Sequence, residues 1–130
     1  MPTTNCPLRD AKDIKATVQN FMDEGAESQI SCFRLGWMNP WWAAKIDRQN
    51  VPEYLFPKAR LRRSQDLPPL YCPTGAIWVS QTAVLKSERT FYTRNHILYP
   101  LSLASAVDID DESDMEMAMF YFVNNRQRAV

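Results

Sequence analysis

The residues with the clearest chemical potential are carboxylates. Asp108, Asp110, Asp111, Glu112, Asp114 and Glu116 put six of the fifteen acids of the chain within nine residues. Ile109 separates Asp108 from Asp110, and on a strand positions i and i+2 share a face. Two carboxylates so aligned suit a hard cation such as Mg²⁺, which takes one or two carboxylates together with substrate phosphates. Such a metal would neutralise a polyphosphate and stabilise charge on its leaving group. A second reading stands beside this one. Acids at a helix N-terminus cap it and complement its dipole, and Asp111, Glu112 and Asp114 suit that role. An isolated Asp-x-Asp does not decide between the two.

A second cluster is basic: Lys58, Arg60, Arg62 and Arg63 lie within six residues. Arginine can hold a carboxylate or phosphate through two parallel hydrogen bonds, while a solvated charged face is the plainer reading. Basic segment and acidic strand end together would suit a substrate with phosphates or a carboxylate, bridged by a metal. His96 is the single histidine, so no Ser/His/Asp or Cys/His arrangement can be built around it; a surface or structural role is the expectation. Cys6, Cys32 and Cys72 are odd in number, widely spaced and form no CxxC pair. They read as reduced thiols of a cytoplasmic protein rather than as a disulfide framework or zinc site.

Composition narrows the classes further. At 130 residues the chain suits one domain. Fifteen basic and fifteen acidic residues cancel, which argues against nucleic acid or a membrane surface as partner. A hydrophobic share of 45% is that of a globular chain. The apolar run Ala118 to Val123 is far too short to span a bilayer. No signal peptide is visible after Met1. Only Gly25, Gly36 and Gly75 are glycines, whereas average usage predicts roughly nine. A phosphate-cradling loop needs clustered glycines, so none can be written from this chain.

The elements that would position these residues alternate, which predicts an α/β fold. Asp10 and Asp13 predict the start of a helix over about 11–24, with Gly25 as its stop. Ile14, Val18, Phe21 and Met22 give it one apolar face. Strands are expected at Gln29 to Leu35, Trp41 to Ile46 and Gly75 to Ser80. Two further short strands are expected at Ile97 to Leu103 and Ala106 to Ile109. Short helical character is expected at about Thr82 to Lys86. A last helix should run from Asp110 or Asp111 to about Asn124, burying Met115, Ala118, Met119 and Phe122. Residues 51–75 hold five of the nine prolines and predict an extended, irregular excursion. Its apolar residues, with Trp41 and Trp42 before it, call for ordering against something.

Four segments resemble the acylneuraminate cytidylyltransferase family, the CMP-sialic acid synthetases and their relatives for other nonulosonic acids. They are Pro2-Thr3-Thr4-Asn5-Cys6-Pro7-Leu8-Arg9, then Arg63-Ser64-Gln65-Asp66-Leu67-Pro68-Pro69-Leu70-Tyr71, then Pro73-Thr74-Gly75-Ala76-Ile77-Trp78-Val79, and Val107-Asp108-Ile109-Asp110 with Asp114 and Ala118. Their order and spacing cover nearly the whole chain. The resemblance implies an enzyme that joins CTP to a nine-carbon α-keto acid sugar and releases pyrophosphate. It implies part of a Rossmann-like nucleotide-sugar transferase fold with a mixed sheet, a homodimer, and residues 40–75 as a dimerisation arm near the neighbouring sugar site. By the same resemblance Asp108 and Asp110 are the catalytic, Mg²⁺-binding aspartates. Arg62, Arg63, Gln65, Thr74 and Gly75 are substrate-binding positions, with an arginine near Gln65 facing the sugar carboxylate.

Some positions depart from the family pattern and bear on which sugar is used. Ser64 stands where many members have Arg, Cys72 where some have Arg, Thr74 where Asn is usual, Asn39 for His, and Met119 for Glu. The glycine- and lysine-containing loop that binds CTP phosphates has no counterpart here, so 1–130 reads as a C-terminal half that is inactive alone. The alternatives are a non-catalytic dimerising or ligand-binding remnant of that family, and an unrelated small α/β binding protein.

Overall fold

The computed structural model describes the backbone of residues 6–128 and the side chains of residues 6–124. Positions 2–5 of the first family-like segment lie outside the described residues. In chain order the regular elements are α1 (Ala11–Glu24), β1 (Ser28–Arg34), β2 (Ala44–Ile46), β3 (Pro52–Tyr54), β4 (Tyr71–Ser80), α2 (Thr82–Glu88), β5 (His96–Pro100), α3 (Leu103–Ala106) and α4 (Glu112–Arg128). The chain divides into two compact units, one of Met1–Phe33 with Cys72–Val130 and one of Arg34–Tyr71.

The first unit is α/β. Its sheet has the order β4-β1-β5. β1 and β5 run parallel, in register from Ser28 opposite His96 to Cys32 opposite Pro100. β4 runs the other way: Leu35 N–H donates to Leu70 O at one end and Gln81 N–H to Glu27 O at the other, each at 3.0 Å. The sheet is therefore mixed. α1 forms because both of its ends are closed locally. Asp10 accepts from the N–H groups of Lys12 and Asp13 at 2.7 and 3.0 Å, and Asp13 Oδ2 accepts from Asp10 N–H at 3.1 Å. Such a reciprocal box satisfies donors that a helix start leaves open. Gly25 takes φ 59°, a left-handed conformation that costs glycine little.

These caps set an acid limit. Hydrogen bonds from the Asp13 and Lys12 N–H groups hold the Asp10 carboxyl below its usual pKa. Ser113 and Asp114 do the same for Asp111 at the start of α4. A depressed folded pKa contributes stability that is complete above the unfolded value and is lost as pH falls through the folded one. The melting temperature should therefore fall below about pH 4. Asp10→Asn with Asp111→Asn keeps both caps, removes both titrations and should flatten that fall in a calorimetric pH series. An equal slope in wild type and double variant would refute the assignment.

The core is small and unusually polar. Ile30 and Cys32 are buried at its centre with Ala26, Ala76, Ala106, Val107 and Ala118. Thr17, Ser28, Gln29, Ser31, Thr74, Thr93 and Ser105 are buried beside them. Buried polar groups persist only when hydrogen-bonded, and β1 meets this residue by residue. Ser28 Oγ donates to Phe91 O at 2.6 Å and contacts Thr93 Oγ1 at 2.9 Å. Gln29 Nε2 donates to Thr17 O, and Asn20 Nδ2 donates to Gln29 Oε1, both at 2.7 Å. Ser31 Oγ accepts from Ile77 N–H at 2.9 Å and donates to Thr74 O at 3.2 Å, so a side chain joins β1 to β4 there. Among the described residues, Thr17 Oγ1 is the buried side-chain atom with no partner.

Three expectations from sequence need correction. Residues 106–109 form no strand. Ser102 Oγ accepts from Ser105 N–H at 3.0 Å and caps the short helix α3, and 107–109 continue without regular structure. Residues 41–46 are not one strand: Asn39 Oδ1 accepts from Trp41 N–H at 3.1 Å and starts a 3₁₀ turn over Pro40–Trp42, leaving only Ala44–Ile46 extended. The stripes on the two long helices are not buried as expected. On α4 only Ala118 of the four is buried, Met119 is 60% exposed, and Met115 and Phe122 are exposed. On α1 Ile14, Val18 and Met22 are exposed and Thr17 is buried instead. α4 also runs four residues beyond the expected end, to Arg128.

Candidate functional site

Within the first unit, three of the four family-like segments converge. Cys6 Sγ contacts Thr74 Oγ1 at 3.8 Å. Arg9 Nη1 donates to Ala76 O. Thr74 Oγ1 donates to Ala106 O at 3.1 Å, one step before Val107-Asp108. Thr74 O also accepts from the Trp78 indole N–H at 2.7 Å. Thr74 is therefore a buried hub of structure, with Gly75 half-buried beside it. Burial pushes the Cys6 thiol up, and the nearby Asp108 carboxylate adds to that effect. Burial likewise raises Cys32. Cys6, Cys32 and Cys72 are free thiols.

The two aspartates sit on the segment between α3 and α4, with Asp108 half-buried and Asp110 exposed. The acids that follow them divide by role. Asp111 Oδ1 accepts from the N–H groups of Ser113 and Asp114 at 2.8 and 3.0 Å. Asp114 Oδ2 accepts from the N–H groups of Asp110 and Asp111 at 3.0 and 3.2 Å. Capping thus accounts for Asp111 and Asp114. Among the described residues no group of three or more His, Cys, Asp or Glu is placed to hold a metal. Asp108 and Asp110 are hard oxygen donors of the type Mg²⁺ takes, but the strand expected to set them on one face is absent.

The Arg34–Tyr71 unit carries the basic cluster and the aromatics. A hairpin pairs β2 with β3, Ala44 opposite Tyr54 and Ile46 opposite Pro52. Trp41 packs edge-on against Phe56 at 5.1 Å, and its indole N–H donates to Pro68 O at 2.9 Å. The sequence-predicted cations are not gathered on one site. Arg63 forms a two-pronged pair with Asp66 at 2.9 and 3.2 Å. Arg62 Nη2 donates to Asp66 O, and Arg60 lies 4.9 Å over the Tyr54 ring. Arg62 lines an apolar groove of about 600 Å³ beside Trp41, Phe56 and Leu67. Gln65 lines a different cavity, of about 460 Å³, walled by Trp37, Trp41 and Trp42 and reached by Arg34 and Ser64. Sequence reasoning passed over Arg34. A single arginine at a strand end gives no signal until the chain folds Gln65 back beside it.

Comparison with known proteins decides the relationship. The chain is 36% identical over 108 residues, 83% of its length, to the N-acylneuraminate cytidylyltransferases of Streptococcus agalactiae serotypes III, Ia and V. This chain is a relative of the N-acylneuraminate cytidylyltransferases. It spans 26% of the length of those streptococcal cytidylyltransferases. No family model matches it. Among the described residues no helix is long and apolar enough to cross a membrane.

Proposed function

We propose that this chain is the part of a cytidylyltransferase that carries the metal carboxylates and a sugar-facing arm. Completed by a CTP-phosphate-binding part, it activates a sialic-type nonulosonic acid. In that reaction the sugar's anomeric hydroxyl oxygen attacks the α-phosphorus of CTP. The bond to the β-phosphate breaks, the hydroxyl proton is lost, and CMP-sugar and pyrophosphate result. Asp108 and Asp110 would hold Mg²⁺, which supplies charge neutralisation on the phosphates. The observation that carries this reading is the 36% identity over 108 residues, a stretch long enough to take in several of the segments that converge around Thr74. The fold reading that goes with it is Rossmann-like, with 40–75 as a dimerisation arm and the protein acting in the cytoplasm.

The chain as it stands contains no clustered glycines, and we expect no pyrophosphate release above background from CTP, Mg²⁺ and a panel of nonulosonic acids. Clear turnover would overturn the proposal that it is inactive alone. Grafted in place of the matching 108 residues of a streptococcal relative, the chain should support CMP-sugar formation. Replacing both Asp108 and Asp110 by Asn in that graft should lower kcat by about a hundredfold or more. A folded but inactive graft would sink the cytidylyltransferase reading.

We also propose self-association. Met22 on α1 is 68% exposed and Phe120 on α4 is 64% exposed, and apolar surface of this kind favours association. Light scattering at micromolar concentration should give a dimer or larger. A monomer contradicts it. The alternative, a non-catalytic dimerising remnant, predicts the same mass and an inactive graft.

A further inference from the structure

The groove of about 600 Å³ in the Arg34–Tyr71 unit has an apolar floor and charge of a single sign. Trp41, Leu55, Phe56 and Leu67 form the floor with Pro57 and Pro68, and Leu55 and Phe56 are exposed there. Lys58 and Arg62 complete the lining, and no acid belongs to it. A 3₁₀ turn over Ala59–Leu61 sets the two cations, Lys58 before it and Arg62 after it. Ala59 N–H donates to Phe56 O and Arg62 N–H to Ala59 O, each at 3.0 Å, so the turn is tied to the floor. Arg62 spends one N–H on Asp66 O. The Lys58 side chain has no hydrogen bond or ion pair with a described residue.

Such a lining selects by exclusion. A polyhydroxylated ligand needs hydroxyl and amide partners, and the lining side chains carry none. The Trp41 indole N–H is already spent on Pro68 O at 2.9 Å. A peptide brings a backbone donor and acceptor with each residue. Pro57 and Pro68 have no N–H to answer it, and the N–H groups of Ala59 and Arg62 close the turn. An apolar body with one acidic group meets both halves of the lining. The body takes the exposed floor out of water, and the acid pairs with Lys58 beside apolar groups that lower the local dielectric. We propose that this groove binds a free anionic amphiphile, a saturated chain ending in a carboxylate, with the chain on Leu55, Phe56 and Leu67 and the carboxylate on Lys58. The volume lies within the range for a small-molecule site. The proposal is independent of the cytidylyltransferase reading.

Titration calorimetry of the whole chain tests this with decanoate, decyltrimethylammonium and acetate, each below its micelle-forming concentration. Decanoate should saturate at one molecule per chain, decyltrimethylammonium should bind more weakly, and acetate, a head without a tail, should give no saturable heat. Lys58→Glu reverses the charge at an exposed position. It should weaken decanoate by about tenfold or more and tighten decyltrimethylammonium. Leu55→Gln puts polar atoms into the floor and should weaken both amphiphiles. Circular dichroism confirms folding of each variant. Absence of saturable decanoate binding overturns the proposal, and is the result expected if a second copy of the chain covers the groove. Equal decanoate affinity in wild type and folded Lys58→Glu overturns it too, as does unchanged binding by folded Leu55→Gln. None of these results bears on product formation by the graft.

Discussion

Replacing Gln29 with glutamate is expected to cost roughly 3–5 kcal/mol of stability at neutral pH, the scale of an uncompensated buried charge. Gln29 is fully buried on the central strand. Its amide nitrogen donates to Thr17 O and its amide oxygen accepts from Asn20. A carboxylate keeps the second bond and turns the first into a repulsion between two oxygens. Burial raises such a carboxyl's pKa, so the folded protein binds the proton more tightly than the unfolded chain. The loss should therefore shrink as pH falls, because a protonated carboxyl regains a donor for Thr17 O. Urea unfolding at pH 7 and pH 5 reads this directly. A midpoint equally low at both values would show that the amide's shape, rather than its hydrogen bond, is what the site needs.

Ser31→Ala should cost roughly 1–3 kcal/mol, because it strands the Ile77 N–H, while Thr74 O keeps the Trp78 indole N–H. Ser31 Oγ is the acceptor for Ile77 N–H and the donor to Thr74 O. Ordinary ladders pair backbone with backbone. Here a hydroxyl fills the gap, so its removal opens the β1–β4 joint rather than merely leaving a cavity. Ser31→Thr retains the oxygen and should lose less. Chemical denaturation should show lower midpoints at unchanged m. A loss under about 0.5 kcal/mol, the range of an ordinary surface change, would mean that water replaces the hydroxyl.

Local chemistry was legible in the sequence where a residue acts on its own backbone neighbours. Asp10 with Asp13 marked the start of α1 and Gly25 its end, and the structure carries both. Strand β1 was legible from its apolar residues and β4 only from Gly75 onward, since Tyr71 to Thr74 lie in the stretch expected to be irregular. What the sequence hid depends on partners far along the chain. Met115, Met119 and Phe122 repeat at helical spacing, but periodicity states only that a face is apolar and says nothing of whether anything covers it. Ser28, Gln29 and Ser31 look like solvent-facing strand residues until Phe91, Thr17 and Ile77 come to meet them. At the acidic segment, capping explained Asp111 and Asp114 as expected, while the strand meant to align Asp108 with Asp110 is absent: α3, capped by Ser102, ends at Ala106 and 107–109 are irregular. Arg34 and Gln65 are 31 positions apart, and only the closed path of 34–71, held by Leu35 N–H on Leu70 O, makes them neighbours.

The contact between Arg9 and Ala76 O bears on how this protein should be handled. Residues 6–10, ahead of α1, belong to no helix or strand. Arg9 from that stretch instead occupies a carbonyl of β4, the kind of edge group that otherwise recruits a neighbouring chain. Cys6, three residues before it, packs on Thr74. A boundary drawn at residue 10 would keep every helix and strand of the fold and still hand over a stickier protein.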